Sequence, residues 1–545
     1  MTSDPSIAAP ESKPKPAFIP IHEALSKRSR ARFLGLTVDD AIKYFFGGNA
    51  ALSIVVLFLI MAMLLIEGSD FIPLNYFNLS IYRKAGLEYV DYLRAQVDDH
   101  VERGRGLQTI RERETEALLA QKLPLDQVNA RLASFDAFSA RYDAAIEGHR
   151  QMLSDLTDLA TAIKQKASDN EDQIAEKKRL EHGKNPAAAA AIVPIEIDYA
   201  QETAPIRATF PAYQALNVTL AAELRDLATQ TPDLALPADQ AQFSAFKKSI
   251  VISISGFPAI EHKMETWDPL KPVPYYESIT TCLFGLRWLT ARFWQDWYGI
   301  IPLFVGSLAA SFVALVLAVP FAIGAAIYVN QIATKWEQNL IKPYIEFIAA
   351  IPSVVLGFFG IAVLGASLRH LSQQAFLSWV PFFPMREELT IFTAGCLLAL
   401  MATPTIFTLA EDALNNVPRN FVEASTALGA TKLQTITRIM IPAALSGIIS
   451  AILLGLGRVI GETMVVLLCI GGRTQIPDFL HHGIGAFFEP AHTMTGIIAQ
   501  EMGEAVKGTL LHRALFMDGV LLFFISLGIN YLAQLVVKKY KISIG

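Results

Sequence analysis

The chain has 545 residues, 52% of them hydrophobic and only 18% charged, with a net charge of −5. That balance belongs to a membrane-embedded protein of several parts, and it carries no basic footprint for nucleic acid. The three cysteines, Cys282, Cys396 and Cys469, lie in or beside apolar runs and form neither a disulfide framework nor a zinc frame.

The predicted fold class is an all-α integral membrane protein. A helix needs about 20 apolar residues to cross the hydrocarbon. Stretches 49–66, 301–329, 343–364, 391–409, 443–470 and 515–537 qualify as spans. Residues 1–48 precede them as a cytoplasmic N-terminal segment. The first span begins too deep for a signal peptide, and Ile66-Glu67-Gly68 is no small-x-small cleavage site, so it reads as an uncleaved anchor. Lys27, Arg28, Arg30, Arg32 and Lys43 come before it, and Lys538, Lys539 and Lys541 follow the last span. Lys335 and Lys342, then Arg419, Lys432 and Arg438, fall on the same side if the spans alternate. The excess of basic residues marks that side as the cytoplasm, with both termini inside. Arg369, Arg386, Lys507 and Arg513 are the exceptions on the opposite side.

Residues 67–300 then form an outer, largely helical insertion. Val90, Leu93, Val97 and Val101, and then Val128, Leu132, Phe135, Tyr142 and Ile146, recur at helical spacing. They predict a helical hairpin or coiled coil broken at Leu123-Pro124-Leu125, with Asp126 capping the second helix. The segment 182–191 reads as a loop tip, 211–229 as a further helix and 250–254 as a strand. Trp288, Trp294, Trp297 and Tyr298 predict an interfacial aromatic belt on a short surface helix. The insertion offers no paired catalytic carboxylates, so it is expected to be a solvated bundle or a platform for a partner protein.

Residues 301–545 are expected to form the transmembrane core. Glu346 is expected to make an interfacial salt bridge with Lys342. His481, His482 and His492 fit no metal-ligand frame and read as a solvated outer loop, and Asp518 reads as interfacial. Between the fourth and fifth spans lies a polar loop, 411–442. It carries Glu423-Ala424-Ser425, then Gly429, then Ile439, Ile441 and Pro442. Small residues permit close helix approach, a glycine can take positive φ, and Pro442 marks the passage into the next helix. The fifth span contains Gly457-Arg458-Val459-Ile460-Gly461-Glu462-Thr463. Arg458 and Glu462, four residues apart, are placed on one helix face. A charge at mid-bilayer costs at least ~2.5–3.5 kcal/mol, so such residues mark a pathway or an ion pair locking two helices. The planar guanidinium of Arg458 suits a tetrahedral oxyanion, with Glu462 orienting it or relaying charge.

The loop resembles the "EAA" coupling loop of ABC importer permeases, and 457–463 resembles the Gly-Arg-x-x-Gly-Glu-Thr pattern of phosphate-specific permeases. Met464-Val465-Val466 makes the match more similar to their C-type subunit (PstC-type) than to the A-type. Val319-Pro320-Phe321, Ala350-Ile351-Pro352-Ser353 and Val417-Pro418-Arg419 agree, so the resemblance covers about 300–545. It implies a type I importer permease core, non-catalytic, with Arg458, Glu462 and Thr463 on the substrate pathway. It places Glu423, Ala424, Ser425, Gly429, Ile441 and Pro442 at the ATPase. The implied partners are a second, PstA-like permease subunit, a PstB-like ATPase dimer, a periplasmic phosphate-binding protein and the lipid bilayer. The chain lacks a Gly-x-x-x-x-Gly-Lys-Ser/Thr loop, so it is expected to bind no cofactor of its own, ATP being used by the partner. A permease for another oxyanion or small solute, and a membrane sensor with an outer helical domain, are the alternative readings.

Overall fold

The computed structural model describes residues 38–182, 190–290, 294–377, 379–380 and 382–540. Lys27, Arg28, Arg30, Arg32, Lys541 and most of the expected loop tip lie outside them. The chain divides into two compact units, Met1–Leu64 and Leu65–Gly545.

In the first unit, helix α1 (Val38–Ser69, running past the boundary) is apolar on every side and exposed through most of its length. A helix that is hydrophobic all round is built for lipid or for other helices. It starts before the predicted span, so Lys43 lies within it rather than ahead of it.

The second unit opens with α2 (Phe71–Lys84) and α3 (Leu87–Ala120). α4 (Leu125–Ala145) returns antiparallel along α3: His100 meets Tyr142, and Arg111 meets Asp136 at 2.7 Å. The break falls at Leu123-Pro124 as predicted. Asp126 is not the cap, however. Pro124 holds that position in extended backbone, leaving Asp126 in the first turn, where its charge complements the helix dipole. α5 (Glu147–His182), α6 (Phe210–Thr229) and α7 (Pro237–Glu265) complete the bundle. The predicted strand at 250–254 lies inside α7. Ile250 packs into the bundle core while Val251 and Ile252 face out, a helical and not an alternating pattern. Phe135, Phe138, Tyr142, Phe243 and Phe246 stack edge to face at its centre. Each such side chain contributes about 1.5–3 kcal/mol of burial.

Through this apolar core runs a polar network that the periodicity did not reveal. Asn217 Oδ1 accepts from Gln96 at 2.8 Å and lies 2.9 Å from His149 Nε2. The Asn217 amide donates to Glu261, and Tyr213 donates to Gln96 at 2.6 Å. Four helices are thereby pinned to one register, since an unsatisfied buried group would cost about 1–3 kcal/mol.

After α8 (Tyr275–Leu283) the chain forms a small antiparallel hairpin, β1 (Trp288–Leu289) and β2 (Trp297–Tyr298), in place of the expected surface helix. Trp288 and Tyr298 are buried against Phe71 and Cys282, so they serve as protein core and not as a lipid belt. Gly285 and Gly299 close the hairpin's base. A Cβ on Gly285 would come 2.0 Å from the Thr281 carbonyl oxygen, so no side chain fits there. Thr109 on α3 accepts a hydrogen bond at 3.0 Å from Arg386, in the loop before Ile391, tying the insertion to the core.

That core contains α9 (Ile301–Ile327), α10 (Lys335–Ala350), α11 (Ser353–Ser372), α12 (Ile391–Asn415), α14 (Lys432–Ile460) and α17 (Leu510–Tyr540), with the shorter α13 (Arg419–Ala427), α15 (Met464–Cys469) and α16 (Met494–Glu501) between them. Together with α1, five of these make six helices long and apolar enough to cross a membrane; α10 is not among them. Ala310, Ala314, Ala318, Ala322 and Ala326 recur every four residues on α9 and are fully buried in the cluster that holds Ala394, Leu398, Ala402, Ile406 and Ala410 of α12. Small side chains let helix backbones approach closely where lipid supplies no hydrophobic drive.

The third span is displaced from its predicted position. Ile351 is extended (ψ 125°) because Pro352 follows it, so α10 ends there and the crossing helix is α11. α10 is instead amphipathic, begun by a Thr334–Glu337 capping box. Lys342 pairs with Glu411 of α12 at 2.5 Å, not with Glu346. Asp518 is not interfacial: it is 0% exposed on α17, and neither carboxylate oxygen has a hydrogen-bond partner.

Candidate functional site: the coupling loop and the intramembrane arginine

Helix α12 ends at Asn415, and Pro418 starts α13 (Arg419–Ala427). Leu428 follows, then Gly429 at φ +80°, a left-handed conformation with open space where a Cβ would sit. The glycine is therefore required by its backbone and not by crowding. Thr431 then caps α14 through a capping box with Gln434. The result is two helices with a turn at the glycine, as the motif implied. Ser425 and Thr435, both buried, join them through their hydroxyls at 2.9 Å. Glu423 and Ala424 lie on the exposed side. So do Leu428, 89% exposed, and Leu433, 68% exposed. A polar loop that presents this much apolar surface marks an interaction site.

Pro442 does not begin the helix. α14 runs continuously from Lys432 and passes through a π turn at Ile436–Met440 just before it. The wider turn accommodates the missing proline donor without a break. Ile439 and Ile441 are half-buried beside it.

At its other end α14 stops at Ile460, and a short helix, α15 (Met464–Cys469), resumes after Gly461-Glu462-Thr463. The predicted 443–470 span is thus interrupted, and Arg458 and Glu462 do not share a helix face. No ion pair joins them among the described residues. Arg458 is exposed and donates to Thr405 on α12 at 3.0 Å. Glu462 instead turns inward toward α9 and α16 (Met494–Glu501), close to Ser307, Ser311, Thr493 and Thr495. Its carboxylate accepts from the Met464 amide at 3.3 Å, and its carbonyl accepts from Thr495 at 2.8 Å. Thr463 is half-buried in the break between them.

The hydroxyl residues around Glu462 were missed by the sequence reading. Ser307 and Ser311 sit in an apolar run, and Thr493 and Thr495 at the start of α16 nearly two hundred residues on, so only the fold brings them together. His492, beside them, is buried and bonds Gln500 at 3.0 Å, whereas His482 pairs with Glu489 in the segment between α15 and α16. Among the described residues no cluster of metal ligands forms. Arg458 offers a cation with donors to spare beside Thr405 of α12, and such a group binds anions.

A family profile described as "Binding-protein-dependent transport system inner membrane component" matches residues 318–539. The "Phosphate transport system permease protein PstC" of Haemophilus influenzae is 33% identical over 280 residues, which are 48% of this chain and 84% of that protein. The protein of the same name from Pasteurella multocida is 31% identical over 275 residues, 48% of this chain and 82% of its own. The "Probable ABC transporter permease protein YqgH" of Bacillus subtilis is 32% identical over 233 residues, 42% of this chain and 68% of its own. Among solved structures, a chain of the MetNI methionine ABC transporter in inward-facing conformations matches 44% of this chain and 94% of its own. Its identity is 19% and its TM-score 0.32. The chain belongs to the binding-protein-dependent transport inner-membrane family and, within it, to the PstC-type ABC permeases. It is a multi-pass membrane protein and a permease subunit of an importer.

Proposed function

We propose that this chain is a membrane-spanning subunit of an ATP-driven importer for inorganic phosphate. The observation that carries the reading is Arg458: an exposed guanidinium in the last turn of a crossing helix, held by one hydroxyl and, among the described residues, by no carboxylate. A cation in a membrane-crossing helix needs an anion or water on its open side. The names of the relatives supply the anion, and a tetrahedral oxyanion suits the guanidinium's fork. Glu462 and Thr463 form the break beside it and flank the pathway.

Transport is by alternating access. The exposed loop of Glu423, Ala424, Ser425 and Gly429, continued by Ile441 and Pro442, docks on a PstB-like ATPase dimer in the cytoplasm. ATP closes that dimer, the loop moves with it, and the helices around Arg458 open outward. A PstA-like subunit closes the other half of the pathway, and a periplasmic phosphate-binding protein delivers the solute to the outer face. Both termini lie in the cytoplasm, and residues 67–300 stand in the periplasm as a separate helical insertion ahead of the 301–545 permease domain. The chain hydrolyses no ATP itself, having no phosphate-binding loop of the usual frame.

The test is uptake of labelled phosphate into proteoliposomes holding the full set of subunits. ATP-dependent uptake that sulfate and molybdate do not replace is expected. Uptake of another oxyanion in its place would keep the permease and overturn the substrate.

A further inference from the structure

At the coupling-loop end of the core a cavity of about 510 Å³ opens between α12, α13 and α14. It lies where Pro418 turns the chain out of α12 and where the π turn widens α14. Its size is that of a small-molecule site, roughly 300–1,000 Å³. Val417 and Phe421 form one wall, and Ala443 and Gly447, in the first turns of the crossing segment, form the other. Arg438 is the one cation among its lining residues, and no carboxylate lines it. Arg438 lies in the π turn itself, is exposed, and has no hydrogen bond or ion pair among the described residues. The cavity is therefore ordered like an amphiphile: apolar where the membrane-crossing helices begin, cationic where the loop leaves them.

We propose that this cavity binds an anionic phospholipid of the cytoplasmic leaflet, its phosphodiester on Arg438 and an acyl chain against Phe421 and Ala443. A guanidinium meets a phosphodiester with two parallel hydrogen bonds, and basic pockets between helices on the cytoplasmic side collect anionic headgroups. A free anion would satisfy Arg438 but leave the apolar wall wet, which is why the lipid is the occupant. Since Ile439 and Pro442 line the cavity and belong to the coupling element, a bound lipid braces the joint through which the loop moves. The proposal rests on the orientation argued above and not on the identity of the solute.

The assembled complex, purified with its partner subunits and placed in phosphatidylcholine nanodiscs with or without phosphatidylglycerol, is released for native mass spectrometry. Only intact complexes are scored, so a folding failure does not register as lipid loss. Phosphatidylglycerol should be retained over phosphatidylcholine, and Arg438→Gln should cut that preference by roughly fivefold. Ser446→Trp, which fills the cavity and leaves the charge, should lower it too. Equal retention of both lipids, or retention unchanged in both variants, overturns the site. So does displacement by inorganic phosphate, which would make it a free-anion site. Crosslinking of Ser446→Cys to a partner subunit would show that protein covers the cavity and would overturn it as well.

Discussion

Arg458 is expensive to hold in a crossing helix and, among the described residues, makes a single hydrogen bond there, to Thr405. Arg458→Gln keeps length and some donors but loses the cation, so phosphate uptake at limiting substrate should fall at least about tenfold, one lost charge-assisted bond being worth ~1.5–3 kcal/mol. Assembly, read by co-purification of the ATPase, should persist. Arg458→Lys should recover part of the uptake, because it restores charge without the fork. Unchanged uptake in the glutamine variant would make Arg458 structural. Gly429 has a different vulnerability, since its φ of +80° is one that a β-branched residue adopts at a cost of about 1–2 kcal/mol. Gly429→Val should abolish ATP-driven uptake or ATPase co-purification while the chain still inserts in the membrane. Normal uptake in that variant would remove the turn from the coupling role.

At the scale of elements, the insertion's helices are joined by buried neutral histidines. His100 stacks on Tyr142 with ring centroids 3.9 Å apart, and its Nε2 donates to the Tyr142 carbonyl. Burial lowers the proton affinity of both His100 and His149, more than their hydrogen bonds restore it. The unfolded chain therefore takes up these protons first. Stability is complete above the ordinary histidine pKa near ~6.5 and falls as the pH drops from there toward the lowered folded values, by up to about 1.4 kcal/mol per pH unit for each histidine. Hydrogen exchange of the full chain, corrected for intrinsic rates, should show protection of α3–α6 declining between pH 7 and pH 5, and less so in His149→Gln. Flat protection would mean that the network tolerates the charge. The helices themselves were legible from their apolar spacing: the break between α3 and α4 falls at Leu123-Pro124, and α6 spans nearly the predicted 211–229. Three features were not. The strand at 250–254 was inferred from β-branched residues whose preference yields to packing in α7. The continuous fifth span was inferred from hydropathy, which does not register a break of three residues. The third span was set by apolar count and ignored the restriction that Pro352 places on Ile351.

For the whole molecule, orientation is the claim on which both the coupling loop and the insertion depend. Val193, 77% exposed in the insertion, offers a place for a probe. Val193→Cys should react in intact cells with an impermeant maleimide that reaches the periplasm, while a cysteine in place of Leu433 should react only after the inner face is opened. The reverse pattern would turn the protein over and detach the loop from any ATPase. The sequence by itself determined the membrane class, the six crossings, the helical insertion and the family, because hydropathy, periodicity and the short motif are properties of adjacent residues. The loop geometry around Gly429 was legible for the same reason: one turn and two caps specify it. Tertiary structure alone decided that Arg458 and Glu462 part company, that Ser307 and Thr495 gather near Glu462, that Lys342 takes Glu411, and that Asp518 is sealed from solvent. Each of these depends on which helix faces meet across long separations in sequence, and in a membrane that choice rests on small-residue packing and a few polar contacts, not on the hydropathy that places the helices there.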